Sequence, residues 1–191
     1  MKFLTNFINT FTDLPQDSIN QFIELITTKR LKKKDIIAKL GDIPENIFIL
    51  KTGVIRSFYT DEKGKEYIRN LFTPIKGTGA LGALILDKPS RLSYDCLTDC
   101  EVYVINFKKF KNLTKKDKNI SNFYSKVLEI VFLLLESKIY DLTVLDATER
   151  YLKLKRQIPN IENLIPQYHI ASYLNITPVQ LSRIRKKIFS K

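Results

Sequence analysis

The sequence predicts an α+β fold: an N-terminal antiparallel β-roll with flanking helices, a long helix, and a small C-terminal helix-turn-helix unit. Three observations predict it. Short β-rich runs separated by turn residues fill 31–107. A single helical pattern covers 119–145, and residues 165–189 read as two short helices joined by a tight turn. The expected units are therefore 1–118, 119–145 and 146–191.

Taken in order, the chain opens with Met-Lys-Phe-Leu-Thr-Asn-Phe and has no sustained apolar run before Asp13, so no signal peptide is expected. Leu14, Ile19, Phe22, Ile23 and Ile26 recur at helical spacing and predict a helix over 15–29. Strands are expected at 36–37, 46–51, 54–59, 67–72, 92–97 and 101–107. Turn chemistry separates them at Gly41-Asp42, Thr52-Gly53, 61–64, 87–90 and Thr98-Asp99. All six glycines lie between 41 and 82, within this region.

The segment 119–145 carries more apolar positions than one buried face needs. One side is expected to pack on its own roll. The other, with Val127, Val131, Leu134 and Leu135, is expected to meet a second copy and form a homodimer. Asp146 and Thr148 mark a break before a shorter helix at 147–157, and Pro159 and Pro166 frame a loop.

The tail carries the chemistry. Thr177 is a favoured N-cap, and Pro178 follows at the first helical position, where its missing N–H costs nothing. Leu181, Ile184 and Ile188 form an apolar stripe, with Gln180, Ser182, Arg183, Arg185, Lys186 and Lys187 off it. Asn175 tolerates the left-handed conformation that a sharp interhelical turn needs. Gln and Arg pair bidentately with adenine and guanine edges. A helix of this kind is built to enter a DNA major groove; a merely solvated basic helix is the alternative.

Charge agrees with the first reading. The chain carries 32 basic and 20 acidic side chains, net +12. Residues 150–191 hold nine basic groups against Glu162, so +8 of that +12 sits in the tail. Such asymmetry suggests a polyanion partner. A membrane surface is not expected, because no lipidation motif or long apolar anchor appears. Two cysteines in a chain of 191 residues fit a reducing cytoplasm.

The layout as a whole resembles the Crp/Fnr family of bacterial transcription regulators. The tail and Ala147-Thr-Glu-Arg-Tyr-Leu152 carry most of the resemblance. Ile47-Phe-Ile-Leu-Lys-Thr-Gly-Val-Ile-Arg-Ser-Phe-Tyr59 and Asp61-Glu-Lys-Gly-Lys-Glu66 are similar to the family's β-roll hairpins. The resemblance implies a cyclic-nucleotide-binding-like roll, double-stranded DNA as partner, homodimerisation and contact with RNA polymerase. It implies that Gln180, Ser182 and Arg183 read bases. Thr177, Lys186 and Lys187 would hold phosphates. Arg185, Gln167 and His169 are further phosphate candidates, with a packed surface residue the favoured reading of His169.

Two departures stand out. Cyclic-nucleotide-binding members carry a Gly-Glu pair and, further on, Arg-Ser or Arg-Thr. Here the stretches read Gly77-Thr-Gly-Ala-Leu-Gly82 and Pro89-Ser-Arg-Leu-Ser93. A degenerate effector pocket is expected from Gly79, Ala80, Leu81, Arg91 and Ser93, without cyclic-nucleotide binding; an unknown small-molecule effector stays open. The sequence also ends three residues after Ile188, which leaves no trailing β-hairpin wing in expectation.

No catalytic constellation, cofactor motif or metal-binding spacing is evident, so an enzyme is not expected. His169 is the only histidine. Cys96 and Cys100 are read as structural, because residues i and i+4 of one strand lie about 13 Å apart unless a turn intervenes. Thr98-Asp99 is a candidate turn. A rival functional class is a ligand-sensing module that acts through a protein partner on the long helix, without specific DNA binding.

Overall fold

The computed structural model describes residues 2–189. Two short helices, α1 (Lys2–Asn9) and α2 (Gln16–Glu24), precede a roll of two antiparallel sheets. The first sheet orders β1 (Ile26–Leu31), β8 (Cys100–Asn106), β3 (Asn46–Thr52) and β6 (Lys76–Thr78). The second orders β2 (Ile36–Ala38), β7 (Ser93–Cys96), β4 (Ile55–Thr60) and β5 (Glu66–Phe72). A one-turn-and-a-half helix, α3 (Leu81–Leu86), lies between β6 and β7.

All six expected strands are present. The helix expected over 15–29 instead stops at Glu24, and Ile26–Leu31 pairs residue for residue with β8. The helical spacing of Ile23 and Ile26 continued past the true end. A ladder with a strand far along the chain outweighs that local pattern, and Thr27 and Thr28 are β-branched and suit it. Helix α1 was not expected; Leu4, Phe7 and Ile8 form its buried face.

Between the sheets Leu31, Phe48, Leu50, Ile55 and Val102 pack with both cysteines. The N-terminal helices cover one end of the roll together with α4 (Phe107–Lys116) and the start of α5 (Lys118–Val144). Asp117 caps α5 by accepting from the backbone of Asn119 and Ile120, and it also accepts from the Ser18 hydroxyl. The long helix thus leaves the roll at a fixed angle.

After α5 the chain turns at Leu145-Asp146. Asp146 and Glu149 form a reciprocal capping box that starts α6 (Ala147–Gln157). The loop framed by the two prolines holds one further turn of helix, α7 (Ile161–Leu164). Helices α8 (Gln167–Tyr173) and α9 (Pro178–Phe189) follow. The outer face of β4 and β5 seats these helices: Val54, Phe58, Ile68 and Leu71 join one buried cluster with Tyr151, Leu154, Ile161, Ile170 and Leu181. Polar ties reinforce it. Lys153 meets Asp141 of α5 at 2.6 Å, and Lys138 lies over the Tyr173 ring at 3.6 Å.

Candidate nucleic-acid interface

The turn between α8 and α9 is built from local chemistry. Asn175 takes φ +56°, the left-handed conformation expected of it. The Ile176 N–H donates to Ala171 O across the turn. Thr177 Oγ1 accepts from the Gln180 N–H at 3.2 Å, and Gln180 Oε1 accepts from the Thr177 N–H at 2.8 Å. This reciprocal box satisfies two backbone donors at the start of α9. Ala171 is fully buried and Leu181 nearly so, while Ile176, Ile184 and Ile188 pack partly buried beside them.

The apolar stripe therefore turns inward, and Gln180, Ser182, Arg183, Lys186 and Lys187 are exposed. Among the residues expected to read bases, Ser182 and Arg183 stand on this open face. Gln180 stands there too, but its amide oxygen is engaged in the cap. Thr177 is exposed at the mouth of the turn.

Three residues expected at phosphates are placed differently. His169 is 7% exposed, and its Nδ1 lies 3.5 Å from Arg56 Nη1. Burial pushes its pKa down to about 4, and the Arg56 guanidinium pushes the same way, so the ring is neutral at pH 7 and buried away from any phosphate. Arg185 is half-buried and pairs with Glu162 at 2.6 Å. The same carboxylate accepts from the Tyr151 hydroxyl at 2.6 Å and meets Lys155 at 3.4 Å. Burial alone would raise the Glu162 pKa, but Tyr151, Arg185 and Lys155 outweigh it and lower it. Arg185 therefore anchors α9 to α6 and α7. Gln167 is half-buried, with Oε1 shut away from solvent. A position beside the polar face of a helix did not reveal that these side chains meet the rest of the fold.

Arg56 was missed by sequence reasoning. It is buried on the outer face of β4, takes both oxygens of Asp95 at 2.7 and 2.9 Å, and pairs with Glu66. It also lies 4.0 Å over the Phe58 ring. Beside it, Ser172 Oγ of α8 accepts from the Ile68 N–H of β5 at 3.0 Å. Together they hold α8 on the roll. A cavity of about 490 Å³ separates the β4–β5 hairpin, at Lys65 and Tyr67, from Thr177 and Gln180 at the start of α9.

The residues expected at an effector pocket are spread over differing surroundings. Ala80, Leu92 and Tyr94 are buried together with Phe72, Ile37 and Ala83 against them. Gly79 sits there at φ +148°, with Leu81 half-buried beside it. Arg91 is exposed, and Ser90 is the buried neighbour, its hydroxyl donating to Leu92 O. Ser93 is spent accepting from the Leu40 N–H. Arg91 thus lies before β7 with its side chain exposed, and Ser93 opens that strand half-buried.

On α5, Val127 and Val131 are half-buried, and Val127 packs on the N-terminal cluster of its own chain. Leu134 is exposed and Leu135 just so. Phe132, Leu133, Ile139 and Tyr140 are also more than half exposed, so the apolar surface extends beyond the positions anticipated.

With this geometry the chain can be set beside known proteins. Residues 28–117 match the cyclic nucleotide-binding domain. No curated protein sequence matches. Among solved structures, FixK2 of Bradyrhizobium japonicum superposes with a TM-score of 0.73 at 17% identity, over 86% of this chain and 85% of that one. A Eubacterium rectale protein described as a transcriptional regulator of the Crp/Fnr family gives 0.72 at 16% identity, over 96% and 88%. The catabolite activator protein of Thermus thermophilus gives 0.58 at 17% identity, over 94% and 86%. At such identities the likeness is one of fold. The cyclic-nucleotide-binding-like roll and the helices after it follow the arrangement of those regulators. Among the described residues no helix is long and apolar enough to cross a membrane.

Proposed function

We propose that this chain is a sequence-specific DNA-binding transcription regulator of the Crp/Fnr type, acting as a homodimer in the cytoplasm without control by cyclic nucleotide. The exposed face of α9 carries the reading: a polar and basic surface held on a rigid apolar seat, at the output end of the fold. Arg183 is the leading base reader, with Ser182 beside it, since an arginine fork pairs with guanine in the major groove. Gln180 joins only by giving up its cap to Thr177. Lys186 and Lys187 hold phosphates, and Thr177 can donate its hydroxyl to one. The exposed apolar face of α5 supports pairing with a second copy, which would present two α9 helices about 34 Å apart to successive grooves. RNA polymerase is a partner on the same reading.

Cyclic nucleotide is disfavoured because Ala80 offers no acceptor for ribose hydroxyls and Arg91 points to solvent. Titration calorimetry should show no heat with cyclic AMP or cyclic GMP, and micromolar affinity for either would overturn this part. The DNA reading is tested by selecting bound sequences from a random duplex pool. A two-fold-related motif is expected, with affinity falling steeply as salt rises. Weak retention without any enriched motif would leave the rival, a protein-partner module, as the better account.

A further inference from the structure

Two cations tie the turn between α8 and α9 to the long helix. Near the end of α8, Ile170 O, Ala171 O and Ser172 O accept from the N–H groups of Leu174, Ile176 and Asn175. The next two carbonyls are met from elsewhere in the chain. Tyr173 O accepts from Lys138 Nζ of α5 at 3.4 Å, and Leu174 O accepts from Arg150 Nε of α6 at 3.3 Å. A second nitrogen of Arg150 donates to Leu145 O at the C-cap of α5. Cations are favoured at the end of a helix, where carbonyls without intrahelical partners concentrate negative charge.

Lys138 does more than cap. It is half-buried, and its ammonium stands 3.6 Å from the centre of the Tyr173 ring, so charge, ring face and carbonyl fix one geometry. On the same edge of α5, Asp141 meets Lys153 of α6 at 2.6 Å, and Ser137 accepts from that ammonium at 3.3 Å. A cavity of only about 20 Å³ remains among Lys138, Asp141, Arg150, Lys153 and Tyr173, so the junction has little slack. The other flank of α8 rests on the roll, through Ser172 on β5 and His169 on Arg56. Strand β5 is an edge of its sheet. A hold along one edge resists rotation about that edge poorly, and the contact with α5 supplies the second point.

We propose that Lys138 is a positioning residue: it sets the angle of α9 against α5 and, through that angle, the spacing of the two half-sites that the protein accepts. The inference rests on the proposed function, in which two copies pair through α5 and each presents α9 to DNA. In such a dimer the copies share α5, so any turn of α9 against α5 displaces one α9 against the other. Helix α9 has 12 residues, which makes it a lever about 18 Å long. A turn of about 10° moves the end of that lever by about 3 Å, close to the roughly 3.4 Å rise of one base pair. A small loss of angular control in each copy therefore relaxes the spacing by about one or two base pairs. The open face of α9, with Ser182 and Arg183, is untouched by that loss.

The test compares the wild-type chain with Lys138→Met, which keeps the hydrocarbon length but loses the charge and the donor, and with Lys138→Arg, which keeps both. Sites are selected from a random duplex pool, and anisotropy then measures binding with the half-sites moved one base pair closer or farther. Wild type and Lys138→Arg should prefer the selected spacing by about tenfold, comparable to the effect of a mismatched base pair. Lys138→Met should prefer it by about threefold or less, while its affinity for an isolated half-site and its self-association stay at the wild-type level. Hydrogen exchange without DNA should show Leu174, Asn175 and Ile176 less protected by about tenfold in Lys138→Met alone. If Lys138→Met folds poorly, Tyr173→Leu removes the ring at similar bulk and should relax the spacing in the same way. A variant that discriminates spacing as sharply as wild type overturns the inference and leaves the DNA reading standing. Equal losses on the half-site and the full site also overturn it. A wild-type chain that enriches no two-fold motif overturns the proposed function, and the inference falls with it.

Discussion

Helices α9 and α5 are both amphipathic, yet they leave opposite surfaces to solvent. On α9 the apolar stripe is consumed by its own chain, and the open face holds Ser182, Arg183, Lys186 and Lys187. On α5 the apolar side chains of the first turns are consumed, and the second half exposes Phe132, Leu133, Leu134, Ile139 and Tyr140. A face of exposed charge is a stable state in water and waits for a polyanion. A face of contiguous exposed hydrocarbon is costly in water and waits for a matching apolar surface. On the proposed function the two faces take different partners: DNA for one, a second copy for the other.

The strongest way to break this contrast is a charge on α5. Leu134→Asp should weaken self-association by about 3 kcal/mol or more, because an unpaired carboxylate would be desolvated at the interface. Sedimentation equilibrium reads this directly, while circular dichroism should show the monomer still folded. An unchanged dimer would move the interface elsewhere.

Next comes the hidden side of the C-terminal helices. His169 titrates near 6.5 when unfolded and near 4 when folded. Between those values the unfolded chain binds more protons, so stability is full above pH 6.5 and is lost as pH falls toward 4. The loss is on the order of 2–3 kcal/mol, measurable by urea unfolding at pH 7 and pH 4.5 against His169→Gln. Equal slopes in the two proteins would mean that the ring is accessible and the seat on Arg56 is loose.

The exposed side of α9 is probed by Arg183→Ala, which should cost about 1–3 kcal/mol on a selected site and relax preference at one base pair. Lys186→Ala should weaken binding evenly and lower the salt slope by about 1. Fluorescence anisotropy on selected and scrambled duplexes separates these, and matching losses on both duplexes for Arg183→Ala would remove it from base reading. Smallest is Thr177→Ala, which loses the cap and should cost about 1 kcal/mol of stability with the apolar seat intact.

Much of the fold was legible because its signals are local. The order Asn175, Thr177, Pro178 predicts the turn and the start of α9, since a left-handed residue, a cap and a proline each act within a few residues. Asp146 marked the break before α6 for the same reason. The start of β1 was not legible, because its ladder with β8 is a long-range choice. Neither was the fate of Arg185 and His169. Each sits off an apolar stripe or at a helix start, as a phosphate ligand would, and only Glu162 and Arg56, distant in sequence, claim them. The exposure of Arg91 was not legible either, because it lies in the irregular segment before β7, where no side-chain period applies.

The sequence by itself determined the roll, the long helix, the helix-turn-helix and the excess of positive charge in the tail. Each follows from periodicity, turn chemistry and composition, which act at short range. Tertiary structure alone decided which basic side chains of α9 stay exposed, that Ala80, Leu92 and Tyr94 are buried together, and that Cys96 and Cys100 share one buried cluster. Those outcomes depend on which surfaces meet in three dimensions. Burial and charge pairing are set there, by neighbours that the linear order does not name.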